Sequence, residues 1–218
     1  MSCYLCRTKR GTLRILITIL LMTISMVSHA GLDSGNRFSL QEGDIVFQQS
    51  KSAQSAAIQA ATGSRYTHVG LITMRKKTPY VLEAVNPVRI ISFKKWKQRG
   101  VDSHVVVKRL KDDSVFRSRV NQRRMKSVAR SHIGKKYDLL FAWDQKKMYC
   151  SELVFRIFFD GAGIHLGKVE RFGDMNLSSP VVKSLVRKRV GKNLDVNEPI
   201  ITPVSIMEDD QLKTVAEF

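Results

Sequence analysis

Three side chains, far apart in the chain, have the types needed to break an acyl bond between them. Cys150 heads the segment YCSELVFRIFFDGAG, where Cys150, Leu153, Val154, Ile157 and Phe158 fall at i, i+3, i+4, i+7 and i+8. That spacing predicts an amphipathic helix with the thiol at the head of its buried stripe. Unpaired N–H groups and the positive end of the dipole at a helix N-terminus favour thiolate over thiol. This is one way to make a cysteine reactive. Glu152 in the same first turn opposes the effect, so a basic partner is still needed. A free cysteine is equally an ordinary small core residue, and the helix alone does not separate the two readings.

Four histidines after residue 30 are candidates for that partner. His132 precedes Gly134 at a helix end, where a histidine meets the last carbonyls. His165 lies in a loop with no second signal. His68 and His104 both open strands, and local pattern does not choose between them. Glu83 supplies the discriminating feature. In YVLEAV, alternation places Glu83 on one face with Val81 and Val85. If that face packs inward the carboxylate needs a partner, because burying it alone is costly. His68 lies on the neighbouring strand of the same hairpin, fifteen residues upstream. The alternative is an edge glutamate pointing to solvent. Taken together, Cys150, His68 and Glu83 make a nucleophile, a base and an orienting group for acyl transfer through a thioester. The backbone N–H of Cys150 would contribute to an oxyanion hole. Water as acceptor gives a hydrolase and another acceptor gives an acyltransferase; the triad does not decide.

The elements that must position these groups read as strands first and helices later. Strands are expected at 43–48, 68–74, 80–85, 88–92 and 104–110, with 68–74 and 80–85 flanking the turn RKKTP as a hairpin. Helices are expected at 52–63, at 114–133, from Cys150 to Gly161 or Gly163, and at 180–191 behind Pro180. One or two helical turns fit 93–100, and LKTVAEF closes the chain as a strand candidate. Segregation of the two kinds of element favours an α+β fold over alternating α/β.

Composition bounds the rest. The 218 residues are 43% apolar and 26% charged, and no repeat or composition shift divides them after residue 31. Three cysteines rule out a disulfide scaffold and a four-cysteine zinc cage. No metal-ligand spacing is visible, and no cofactor is implied.

The N-terminus reads as a targeting segment. Arg7, Lys9, Arg10 and Arg14 precede the apolar run ILITILLMTISMV, which ends in SHA with Ser28 and Ala30 at small-residue positions. This is the pattern of a secretory signal over residues 1–30, followed by one domain over 31–218. The run is shorter than the ~20 residues that span a bilayer comfortably, although an uncleaved inner-membrane anchor is the alternative. Export, to the periplasm, is therefore the expectation. Cleavage would leave Cys150 as the only thiol, and 33 Lys and Arg against 19 Asp and Glu, a net +14. For an exported protein, anionic lipid headgroups or cell-wall polymers are better counter-charges than nucleic acid.

The blocks GDIVFQ, YTHVGLI, YVLEAV, GKKYDLLFAW and YCSELVF resemble those of the circularly permuted papain-like hydrolases of the NlpC superfamily, in the exported YiiX/YaeF-like group. The resemblance covers nearly all of residues 40–218, including order and spacing. Cysteine follows histidine here, as the permuted group requires. It implies His68 as general base, Glu83 as orienting residue and Cys150 as nucleophile, and it gives His104 no counterpart. The implied fold is a small antiparallel sheet or half-barrel with the cysteine helix packed on it. Superfamily members cleave amide bonds in cell-wall peptides, and permuted relatives act on acyl lipids, so a cysteine amidase acting on a peptide or acyl-lipid amide or ester is expected. A non-catalytic lipid- or wall-binding module on the same fold is the alternative, against which the intact Cys150, His68 and Glu83 set weighs. Lys136 of GKKYD departs from the resemblance, since relatives often have proline there.

Overall fold

The computed structural model describes residues 38–191 and 194–218. The signal segment expected at 1–30 lies outside the described residues.

Strand β1 (Ile45–Gln48) is buried along its whole length. Helix α1 (Ser55–Thr62) follows and stops at Gly63, whose φ of 69° gives the left-handed C-terminal turn that glycine adopts readily. β2 (His68–Arg75) and β3 (Thr78–Glu83) form the expected hairpin, with Ile72 opposite Val81 and Arg75 opposite Thr78. β4 (Arg89–Ser92), α2 (Phe93–Gln98) and β5 (Val106–Leu110) complete the first half.

The helix expected at 114–133 is two helices, α3 (Ser114–Arg117) and α4 (Arg119–His132). Ser118 between them is extended, and its hydroxyl accepts a hydrogen bond from the Asn121 N–H at 3.3 Å. A serine that can cap a new helix competes with continuation of the old one. α5 (Cys150–Ala162) ends at left-handed Gly163. Next come β6 (Glu170–Arg171), α6 (Pro180–Val190), β7 (Pro199–Ile200), α7 (Pro203–Met207) and β8 (Leu212–Glu217). α7 was not anticipated: Thr202 caps it, accepting from the Ser205 N–H at 3.1 Å, and Pro203 sits at its first position.

The main sheet has the order β4-β3-β2-β1-β5-β8, antiparallel throughout, and β6 and β7 form a separate ribbon. This is the α+β arrangement expected. One face of the sheet buries Ile45, Phe47, Val69 and Leu82 against Leu153, Val154 and Phe158 of α5. The other buries Val46, Ile72, Val81 and Val107 with Trp96 of α2. α5 is enclosed far beyond the expected stripe, because every residue from Cys150 to Phe158 is buried. A helix enclosed on all sides is usually apolar all round. Here Glu152 and Arg156 are the charged exceptions, and they pair with each other at 3.6 Å.

Candidate active site

β2 opens with His68, which is buried. Alternation sets it on the sheet face carrying Gly70 and Ile72, and its ring stacks on Trp96 with centroids 5.9 Å apart and planes 26° from parallel. Gly70 makes room for this stack. A Cβ there would lie 2.4 Å from Val81 Cγ1 and 3.6 Å from the Trp96 indole nitrogen.

Glu83 closes β3 on the same face as Val81 and is wholly buried. Continuing the register from Leu71 opposite Leu82 puts it diagonal to His68 across the strand pair. His68 Nε2 lies 2.9 Å from Glu83 Oε2. The carboxylate has two further partners that sequence reasoning missed. Arg89 Nε donates to Oε1 at 3.2 Å, and the Arg99 guanidinium donates to Oε2. Arg89 carried a usable signal, since it is the cross-strand partner of Glu83 in the next hairpin. Arg99, just beyond α2, carried none. Burial pushes the Glu83 carboxyl up, but the hydrogen bond and charge of His68, with the Arg99 cation, outweigh it and hold the group at about 2.

Cys150 arrives at the same end of β2 on the first residue of α5. Its neighbours fix the helix start to one downstream residue. Ser151 Oγ donates to the Ile201 carbonyl at 2.7 Å, and the Ile201 N–H donates to Tyr149 Oη at 3.2 Å. The thiol meets the His68 imidazole, and the backbone N–H groups of Val69 and Ser151 point at it. With Nε2 engaged by Glu83, Nδ1 is the ring nitrogen left for sulfur. Burial raises the thiol's titration point, but the His68 hydrogen bond and charge and these two N–H donors together bring it below its ordinary value. Burial would lower His68; bonds to Cys150 and Glu83 instead lift it to about 9. Both shifts favour the imidazolium–thiolate form of the pair over the neutral one.

Tyr137 is a third group that the sequence did not flag. The Asp138 N–H donates to the Met148 carbonyl at 3.1 Å, and the Met148 N–H donates to Lys136 at 3.0 Å. This short bridge sets the Tyr137 hydroxyl beside the Cys150 thiol. Gln54 Nε2 donates to Tyr137 Oη at 2.9 Å, which leaves the phenol's own hydrogen to give. Burial, then the negative charge of Cys150, hold Tyr137 well above its usual range, so it stays a neutral donor. Lys136 contributes its carbonyl to the bridge, which a proline also carries.

The other histidines lie elsewhere. His104 Nε2 is 3.3 Å from Tyr66 Oη and 3.3 Å from Glu217. His165 packs on Phe159, with centroids 4.3 Å apart. His132 was expected to meet the last carbonyls of its helix. Its ring is instead buried with Nδ1 unpartnered, and desolvation, with Lys135 and Arg156 nearby, lowers it to about 4. Among the described residues, no group of three or more His, Cys, Asp or Glu is placed to hold a metal ion.

A helix-borne thiol paired with an imidazole that a buried carboxylate orients, on an antiparallel sheet and with the histidine first in the chain, defines a permuted papain-like architecture. The chain belongs to the family of permuted papain-like amidases, YaeF/YiiX, the C92 family, whose model matches residues 39–216. It is 37% identical over 177 residues to the uncharacterized protein YiiX of Escherichia coli (strain K12), covering 81% of this chain and 86% of that protein. It is similar also to the crystal structure of the metalloprotein yiiX from Escherichia coli O157:H7. The TM-score is 0.78 at 37% identity, over 83% of this chain and 99% of that one.

Proposed function

We propose that this protein is an exported cysteine amidohydrolase in which Cys150 is the nucleophile, His68 the general base and acid, and Glu83 the residue that orients His68. The supporting observation is the contact of the Cys150 thiol with an imidazole whose other nitrogen lies 2.9 Å from a fully buried carboxylate. The thiolate attacks a carbonyl carbon, and the oxyanion that forms is met by the Tyr137 hydroxyl and by N–H groups at the head of α5. The imidazolium then protonates the departing amine or alkoxide, leaving a thioester. Water, deprotonated by the now neutral His68, attacks the thioester and releases the acid. Cell-wall peptides and acyl lipids both present the amide or ester this sequence needs.

The test is alkylation of Cys150 by iodoacetamide across pH, in wild type and in His68→Ala. Wild type is expected to react fast at pH 7, with an apparent pKa well below ~8.5, and the variant to lose this. A thiol that is inert in both is a core residue, and the reading fails. Export is proposed from the basic n-region, apolar run and small-residue exit of residues 1–30. Periplasmic release by osmotic shock tests it, and retention in the cytoplasm would count against it.

A further inference from the structure

Helix α4 breaks two rules of local helix stability. Arg119, Arg123, Lys126 and Arg130 recur along it at i, i+4, i+7 and i+11, and all four are exposed. At about 100° and ~1.5 Å per residue they form one stripe roughly 60° wide and ~16 Å long. Like charges at this spacing repel one another along a helix, and Arg119 in the first turn meets the positive end of the dipole. The helix holds no acidic residue. None of the four pairs with a described carboxylate. Packing of the opposite side, Met125 against Gly161 of α5, holds the helix in place despite its charges.

A second row of cations faces this stripe. The turn from β2 to β3 carries Arg75, Lys76 and Lys77, all exposed. Lys76 has a φ of 57°, a conformation that glycine or asparagine adopts more readily. Arg75, Lys126 and Arg130 line one groove between the hairpin and α4, and its floor is Leu71, Leu82, Ile90 and Ile157. Glu42 is the one carboxylate in that lining. Both its oxygens are engaged, Oε2 by the Met74 N–H at 2.6 Å and Oε1 by the Thr73 hydroxyl at 3.3 Å. Ile133 at the groove and Val120 near the start of α4 are 45% and 48% exposed among these cations. The face is remote from the candidate active site, because Arg75 and His68 stand at opposite ends of β2, about 23 Å apart. Local rules broken in this concentration are expected at functional sites.

We propose that α4 and the β2–β3 turn are the surface by which the protein docks on an anionic phospholipid bilayer. Lipid phosphates lie along the two rows of cations, and Ile133 and the groove floor meet the glycerol and upper acyl carbons. A negatively charged leaflet attracts each Lys or Arg held near it, and its phosphates relieve the repulsion along α4. A soluble polyanion would match the cations equally well but would leave Ile133, Val120 and the groove floor in water. That apolar component selects the bilayer. No step at Cys150 enters this inference, so it stands or falls apart from the proposed function.

Protein purified from cells expressing the full chain is sedimented with vesicles of phosphatidylglycerol and phosphatidylcholine, and with phosphatidylcholine alone. Binding to the anionic vesicles should be the stronger and should weaken as salt rises. Arg123→Gln, Lys126→Gln and Arg130→Gln together should weaken it at least tenfold, each cation near the surface contributing about fivefold. Iodoacetamide should still alkylate Cys150 in that variant at the wild-type rate, which shows that it is folded. Arg75→Gln with Lys77→Gln reads the same face from the hairpin and should also lose binding. The same charge removed from exposed positions of α6, by Lys183→Gln, Arg187→Gln and Lys188→Gln, should leave most of the binding in place. Ile133→Ser should weaken binding to vesicles and leave binding to polyphosphate unchanged. If the α4 and α6 variants lose binding equally, net charge is the cause and the inference falls. It falls too if Ile133→Ser binds vesicles as wild type does while polyphosphate displaces the protein at equal phosphate, for the face would then serve a soluble polyanion.

Discussion

Glu83 accepts hydrogen bonds from three cationic side chains, and its removal should be felt through His68. In Glu83→Gln the imidazole keeps an acceptor but loses the charge that stabilises its protonated form, while Arg89 and Arg99 are left to repel it. The His68 pKa should then fall from about 9 towards its ordinary 6.5. The expected cost in kcat is on the order of 10²–10⁴-fold, with the alkaline limb of the rate profile moving to lower pH. In wild type that limb belongs at about 9, where the imidazolium proton needed by the leaving group is lost. Alkylation, which needs the thiolate alone, should stay flat through the same range, and the divergence of the two profiles is the measurement. Tyr137→Phe removes one hydroxyl beside the thiol and nothing else. It should lower kcat by roughly 10²–10³-fold with KM little changed, whereas a structural role would show in urea unfolding instead.

At the scale of elements, α5 is placed by what it is buried against. Gly161 faces α4 so closely that a Cβ would lie 2.7 Å from Met125 Cα and 3.0 Å from its backbone nitrogen. Gly161→Ala should help the isolated helix by ~0.5–1 kcal/mol. The backbone it strikes cannot yield as a side chain tip would, so overpacking of about 1–3 kcal/mol wins, and urea unfolding should show a net loss. The hairpin of β2 and β3 was legible because alternation and a turn rich in charge define it locally, and with it came the pairing of His68 and Glu83. The head of α5 was legible from the spacing of Cys150, Leu153 and Val154. The break at Ser118, the short helix α7 and the clamp at Ile201 were not. Each depends on a competition or contact between segments, which local periodicity does not record. Tyr137 and Arg99 escaped for the same reason: they reach the site from stretches with no pattern of their own.

For the whole molecule, three buried groups set how stability should change with pH. Glu83 has a depressed folded value, so its contribution is present above 4.5 and lost as pH falls towards 2. His68 has a raised one, so its contribution is present below 6.5 and lost as pH rises through about 9. Glu152 is lifted from 4.5 to about 7, by burial first and by Asp138 against the Arg156 cation, so its neutral form suits the fold and its ionisation costs stability across that window. Glu152→Gln should therefore stabilise the protein at pH 8 and do little at pH 4, in urea titrations at both values. Arg156 keeps a partner in the variant, because its guanidinium lies 4.4 Å from the Trp143 ring centre. The full chain's formal charge of +18 suits an anionic surface. Binding to phosphatidylglycerol vesicles should weaken as salt is raised; binding that ignores salt or vesicle charge would remove electrostatics as its cause.

The grip of Tyr149 and Ser151 on Ile201 sets a clock on synthesis. A nascent polypeptide that has emerged only as far as the end of α5 already holds its thiol, imidazole and carboxylate. It lacks the strut that holds them in line. The ribosome must add some forty more residues before that strut exists, and until then the chain carries an idle sulfur. With Cys150 as the proposed nucleophile, reactivity would be deferred to the last stage of manufacture, and a product cut short before residue 199 should leave the cell's own acyl bonds alone.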